Sequence, residues 1–363
     1  MDLRSLGSLE LPLMAAFHVR LRDGKLRDLV TPVVKDGRVG TVYAMPNLTP
    51  PIATVAPTLS GDEKLLKAAA VVIFLGSLFL NPTLTPELIA HAAETSEVYG
   101  IKLYPAGVHA NSANGVLDIM QYYPIFEAMQ EHNMVLNLHG KAVSSSPDTT
   151  ALNAEHKFLP QLHKLHAAFP RLRIVLEHVS TRAGLDAVRQ CGPTVAGTIT
   201  AHHLRMTTEN AEQDCFNLCK PVAKDVTLDD RIALVRAVVE GSPKFFFASK
   251  RSDCAPHPAQ AKNEDGAAGC PTQGSRTSLV LGALEEGLDH GWITEKEVTM
   301  EAIESFLSKH GGAFYQIPEF LKSRIQLERR GETVPELVTS KDDSVEVVPF
   351  RCGKEIWTLT WIN

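Results

Sequence analysis

The stretch that decides the fold runs from residue 134 to residue 178. It opens Met134-Val-Leu-Asn-Leu-His139-Gly140. It continues through Leu159-Pro-Gln-Leu-His-Lys-Leu-His-Ala-Ala-Phe169 and closes Arg173-Ile-Val-Leu-Glu-His178. The first and last pieces are short, mostly non-alternating apolar runs, the pattern of parallel strands buried on both faces. The middle piece spaces its apolar residues as an amphipathic helix does. This is one strand–helix–strand unit, and each strand ends in a histidine.

The same rhythm extends in both directions. Apolar runs recur at Leu13–Val19, Val39–Met45, Val71–Leu78, Gly100–Leu103, Met134–Leu138, Arg173–Leu176, Val195–Thr200 and Lys244–Ala248. Further helical patterns start at Pro86 and Tyr123, the first with proline in the opening turn. Eight runs alternating with helices predict an α/β fold of the (β/α)8 type. A doubly wound sheet has a similar rhythm, so periodicity alone leaves both open. Residues 252–275 read as a long loop, of the kind that is often functional. After about residue 318 short β-rich segments replace the alternation. The expected organisation is a single barrel unit over residues 1–363, with the barrel at about 12–318 and a small β-rich C-terminal addition at about 319–363.

Composition bounds the function. The chain has 363 residues, 44% of them hydrophobic and 21% charged, which suits a soluble globular protein. With 36 Lys and Arg against 42 Asp and Glu the net charge is −6. That argues against a general nucleic-acid binder, whose affinity comes from neutralising phosphates. The 6 cysteines are too sparse for a disulfide framework and read as reduced thiols of a cytoplasmic protein. Asp2, Arg4 and Glu10 interrupt any signal-peptide core. The most apolar run, residues 68–86, is diluted by Gly76, Ser77, Asn81 and Pro82, so no membrane association is expected.

In a barrel the chemistry sits at the C-terminal ends of the strands. The residues there are His18, Arg20, Arg22 and Asp23; Asn47; Lys102; His139; Glu177 and His178; His202 and His203; and Asp253 with His257. A single strand-end histidine is commonly a hydrogen-bonded structural residue. Lys102 inside an apolar strand is odder, because burying an ammonium is costly. Their joint occurrence points to one mouth lined by imidazole, lysine and carboxylate, a set suited to Zn²⁺. The bottom-up reading is a metal-dependent hydrolase on an α/β barrel.

These motifs resemble the dihydroorotase family of the amidohydrolase superfamily, in its short monofunctional type of bacteria and fungi. The resemblance rests on His18-x-x-x-Arg22-Asp-Gly, Met45-Pro-Asn-Leu-Thr-Pro-Pro, Ile101-Lys-Leu-Tyr-Pro-Ala, Leu136-Asn-Leu-His-Gly, Leu176-Glu-His, Thr198-Ile-Thr-Ala-His-His-Leu, Lys220-Pro-Val-Ala-Lys and Asp253-Cys-Ala-Pro-His-Pro. It implies zinc-dependent interconversion of L-dihydroorotate and N-carbamoyl-L-aspartate in pyrimidine biosynthesis, by a cytoplasmic enzyme that forms a homodimer. It implies two zinc ions bridged by a carboxylated Lys102. His139 and His178 would hold the more exposed ion, and His18 and Asp253 the more buried one. Asp253 would also move the proton. Arg22, Asn47 and His257 would hold the substrate carboxylate, and Ala268 would offer a backbone contact.

The chain also departs from the family pattern. Asp-x-His-x-His-x-Arg becomes Ala16-Phe-His18-Val-Arg20-Leu-Arg22, so arginine replaces a ligand histidine. His-Gly-Glu becomes His139-Gly-Lys141, and about three extra residues, among them Lys250 and Arg251, precede Asp253. Only the set Lys102, His139 and His178 is complete. The sequence therefore leaves two readings, a working dihydroorotase and a weakened single-metal or noncatalytic relative. His163 and His166 are expected to face solvent, and His202 and His203 to support the mouth.

Overall fold

The computed structural model describes residues 1–20, 37–46, 51–53, 73–95, 97–106, 115–142, 148–150, 153–207, 227–249, 272, 274–317, 323–340, 346–347 and 349–362. Eight strands form one parallel sheet in sequence order: β2 (Met14–Val19), β3 (Val39–Ala44), β4 (Ile73–Phe79), β5 (Val98–Leu103), β6 (Val135–His139), β7 (Arg173–Glu177), β8 (Val195–Ile199) and β9 (Phe245–Phe247). Every residue of β2, β3, β6 and β8 is buried, as strands covered on both faces must be. The sheet curls into a nearly closed barrel. At the seam Ser249 Oγ donates to the carbonyl of His18 at 3.2 Å. This is the expected (β/α)8 architecture, and each of the eight predicted runs falls on a strand.

Helices follow the strands: α1 (Pro86–Glu94), α2 (Tyr123–Glu131), α3 (Ala154–Ala168), α4 (Arg182–Gln190), α5 (Leu228–Val239) and α6 (Arg276–Asp289). Their starts are written locally. Thr85 caps α1 through Leu88 N–H, with Pro86 in the first turn, and Thr181 caps α4 through Gly184 N–H. Thr227 and Asp230 form a reciprocal capping box on α5. Gly100 in β5 is required by close approach. A Cβ there would collide with the Val135 carbonyl of β6.

The bottom of the barrel is plugged by aromatic rings. Helix α7 (Met300–Glu304), a π-helical turn (Ser305–Lys309) and α8 (His310–Tyr315) bring Tyr315 into the interior. Its ring stacks on Phe17 at 5.1 Å and lies 4.8 Å from Tyr43. Phe17 meets Phe246 edge-on at 5.3 Å.

A separate antiparallel sheet joins both ends of the chain. Strand β10 (Arg324–Glu328) lies between β1 (Ser8–Pro12) and β13 (Thr358–Trp361), with Ser8 opposite Glu328 and Ile325 opposite Trp361. Strands β11 (Val338–Thr339) and β12 (Glu346–Val347) form a short pair. The expected β-rich addition is present, but one of its strands comes from the N-terminus. Leu9 and Leu11 bury one face of β1 while Ser8 and Glu10 face out, a signal only five residues long.

Among the described residues no helix is long and apolar enough to cross a membrane. Cys191 is a buried free thiol, and Cys215, Cys219, Cys254 and Cys270 lie outside the described residues.

Candidate metal centre

Lys102 on β5, His139 at the end of β6 and His178 just past β7 meet at the C-terminal mouth of the barrel, with His18 of β2 beside them. All four side chains are buried. The strand registers bring them together: Lys102 pairs with Asn137, and His139 pairs with Glu177. His178 adopts a left-handed backbone (φ 47°), which non-glycine residues seldom take. Its N–H donates to Thr198 Oγ1 at 2.7 Å, which fixes that turn.

The imidazoles of His139 and His178 face each other, with Nδ1 of the first 3.1 Å from Nε2 of the second. Two tetrahedral zinc–nitrogen bonds of ~2.0–2.1 Å would place their nitrogens roughly 3.3 Å apart. The observed spacing therefore suits two ligands of one ion. Lys102 Nζ is fully buried and has no hydrogen-bond partner among the described residues. Burial pulls its pKa down to about 7; Glu177 opposes that fall and Arg20 adds to it. A substantial share of the amine is therefore neutral near pH 7. Among the described residues no three His, Cys, Asp or Glu side chains group closely enough to hold a metal without Lys102.

Below the mouth, Glu177 organises a buried network. Its carboxylate accepts from Asn137 Nδ2 at 2.7 Å and from Thr198 Oγ1 at 2.8 Å, and it lies 3.1 Å from His18 Nδ1. Asn137 in turn accepts from the Tyr43 hydroxyl at 2.9 Å and contacts Tyr315. Burial alone would raise the Glu177 pKa, but the hydrogen bonds from His18 and Thr198 and the nearby Lys102 outweigh it and hold the carboxyl below its usual range. Burial drives His18 the other way, toward the neutral ring. The ionised carboxylate can only accept, so His18 carries its proton on Nδ1. Nε2 is left with a bare lone pair, buried and without a partner among the described residues. Sequence reading placed Glu177 at a strand end but missed this role, because its partners come from β2, β6 and β8.

Arg20, just past β2, is fully buried at the same mouth. Its guanidinium carbon lies 5.8 Å from the Tyr104 ring centre, and Lys102 Nζ lies 5.4 Å from it. None of the three side-chain nitrogens of Arg20 has a hydrogen-bond partner among the described residues. Among the described residues the donors thus suit one ion, on Lys102, His139 and His178. The described residues do not supply a second set beside His18. Arginine offers no lone pair there and adds a positive charge.

Lys141 is buried, and its pKa falls to about 8 by burial, opposed by Glu155. Glu155 also accepts from Thr181 N–H at 3.1 Å and Thr181 Oγ1 at 2.7 Å. The reversed charge at position 141 therefore has a counter-charge nearby. Thr200 Oγ1 lies 2.9 Å from His203 Nδ1 and 3.4 Å from His202 Nε2, and both rings are buried where they support the mouth. His163 and His166 are half-buried and do not simply face solvent. His163 Nδ1 lies 3.6 Å from Cys191 Sγ, and His166 Nε2 accepts from Gly192 N–H at 2.9 Å. Arg22, Asn47, Asp253, His257 and Ala268 lie outside the described residues.

A parallel eight-stranded barrel with lysine and histidines at its C-terminal mouth has the architecture of a metal-dependent amidohydrolase. The sequence accordingly matches the amidohydrolase family over residues 39–190. A probable dihydroorotase of Schizosaccharomyces pombe is 42% identical, covering 98% of this chain and 99% of that one. The dihydroorotase of Saccharomyces cerevisiae is 37% identical, covering 97% and 98%. The crystal structure of a Saccharomyces cerevisiae dihydroorotase in complex with 5-fluoroorotic acid superposes with a TM-score of 0.86 over 98% of this chain and 99% of that one. An L-hydantoinase of Arthrobacter aurescens, 16% identical with a TM-score of 0.71, shares the fold. The chain belongs to the dihydroorotase family.

Proposed function

We propose that this chain interconverts L-dihydroorotate and N-carbamoyl-L-aspartate as a step of pyrimidine biosynthesis. The observation that carries this reading is the facing pair His139 and His178 at a mouth that also holds the buried, unpartnered Lys102, in a chain that matches dihydroorotases over nearly its whole length. Family membership supports metal dependence, and the nitrogen-rich donor set favours Zn²⁺. Held by Lys102, His139 and His178, such an ion would lower the pKa of a water and polarise the amide carbonyl.

The remaining roles fall to the protein. The neutral amine of Lys102 is the form that can attack CO₂. A nitrogen–carbon bond forms, a proton leaves, and the resulting carbamate is an anionic ligand. Its formation removes the cost of a buried ammonium. The cationic guanidinium of Arg22 suits bidentate binding of the substrate carboxylate, helped by Asn47 and His257. Ala268 contributes a backbone contact. Asp253 takes a proton from the attacking water and delivers it to the ring nitrogen as the carbon–nitrogen bond breaks. These assignments rest on the resemblance of motifs. A cytoplasmic location and pairing of two copies belong to the same proposal.

The test is hydrolysis of L-dihydroorotate, followed by loss of the ring amide's ultraviolet absorbance. Activity should require zinc, vanish with a chelator and be absent in Lys102→Ala. A folded protein with no rate above that variant would refute the assignment.

A further inference from the structure

One feature of the mouth is unlike a two-ion centre. Arg20 brings a permanent positive charge into a buried space and has no ion pair or hydrogen bond among the described residues. The nearby donors are unevenly shared. His139 and His178 converge within 3.1 Å, whereas His18 presents a single bare nitrogen.

Resting on the metal-centre reading above, we propose that the mouth holds one divalent ion per chain, on Lys102, His139 and His178, and that Arg20 stands as a fixed cation in the place of a second. Two physical facts carry this. A second ion would need several lone pairs, and Arg20 can give none at any accessible pH. It would also sit against a charge that cannot be neutralised by losing a proton. Among the described residues, the buried carboxylate of this mouth, Glu177, is already engaged by Asn137, Thr198 and His18.

Arg20 cannot generate a nucleophilic hydroxide, so that task stays with the single ion. The guanidinium can instead hold negative charge. Its unpaired N–H groups suit an anionic oxygen of the bound substrate or a lysine carbamate, both of which need donors in a water-poor site. His18 turns Nδ1 to the Glu177 carboxylate at 3.1 Å and leaves Nε2 without a partner among the described residues.

The experiment is a count of zinc per chain by mass spectrometry, after saturation and removal of loose metal by gel filtration. The wild type should hold about one ion. His139→Ala should lose it, and His18→Ala should keep it. Arg20→His restores a lone pair and removes the charge, and should double the count to about two. Should Arg20→His fail to fold, the wild type, His139→Ala and His18→Ala still decide. Two ions in the wild type overturn the role of Arg20 and leave the metal centre intact. So does an unchanged count in folded Arg20→His. Loss of zinc in His18→Ala, with retention in His139→Ala, overturns the placement of the ion. No zinc in the wild type overturns the metal-centre reading itself, and this proposal with it.

Discussion

At the scale of single residues, the interior of the barrel depends on one carboxylate. Glu177 is acceptor to groups on three other strands, and each loses that bond if the carboxylate goes. Removing one member of a buried charged network typically costs ~3–5 kcal/mol, because the remaining groups stay desolvated and unpaired. Glu177→Ala should therefore lower unfolding free energy by about that amount in urea titration. A loss below about 1 kcal/mol would show that water replaces the carboxylate. The sequence exposed the polar residues at the mouth, including Lys102, His139 and His178, because a charge or imidazole in an apolar run stands out. The pairing of Glu177 with His18 was not legible. It spans 159 positions and depends on which side chains the barrel turns inward. The burial of Arg20 without a partner was hidden for the same reason, although its identity alone announced a changed site.

At the scale of elements, the eight parallel strands were readable because burial on both faces writes continuous apolar runs. The closure of the barrel floor was not readable, since a π-helical turn leaves no simple periodic trace. Its tight point is Gly311 in α8, where any Cβ would press into the ring of Phe17. Gly311→Ala should cost about 1–3 kcal/mol through overpacking. Adding Phe17→Leu should recover part of that loss, a coupling visible in a double-mutant cycle. Simple additivity would mean that α8 shifts away freely. The neighbouring His310 adds a pH dependence. Burial lowers its pKa below 6.5, Lys309 pushes the same way, and the bond to the Phe245 carbonyl opposes them. The unfolded chain therefore binds more protons below pH 6.5. The contribution of His310 is present above that pH and is lost as the pH falls toward the lower folded value. His310→Gln should show a shallower acid-side loss than wild type in urea titrations at successive pH values. Parallel profiles would mean that the histidine titrates alike in the folded and unfolded chain.

At the scale of the whole molecule, the chain is fastened to itself by the sheet that joins its two ends. Strand β10 is the centre of that sheet, and its inward residues Ile325 and Leu327 are fully buried. Trp357 locks the sheet to the barrel's outer layer. It is 2% exposed, its indole N–H donates to Glu285 of α6 at 3.0 Å, and its carbonyl accepts from Ser278 Oγ at 2.7 Å. Arg329 packs its guanidinium 4.2 Å from the ring centre and pairs with Glu285. Truncation of a buried tryptophan costs about 3–5 kcal/mol. The scale of the response distinguishes two architectures. If the terminal sheet and the barrel fold as one unit, as the single-unit expectation holds, Trp357→Ala shifts one cooperative transition to lower urea. Read in a Trp361→Phe background, which silences the other tryptophan of the sheet, far-ultraviolet circular dichroism and the fluorescence of Trp292 then move together. If the sheet is independently stable, an early transition in circular dichroism leaves the Trp292 signal unchanged. Because β1 precedes the first barrel strand by a single residue, the first outcome is expected: losing the sheet frees the end of the strand that carries His18.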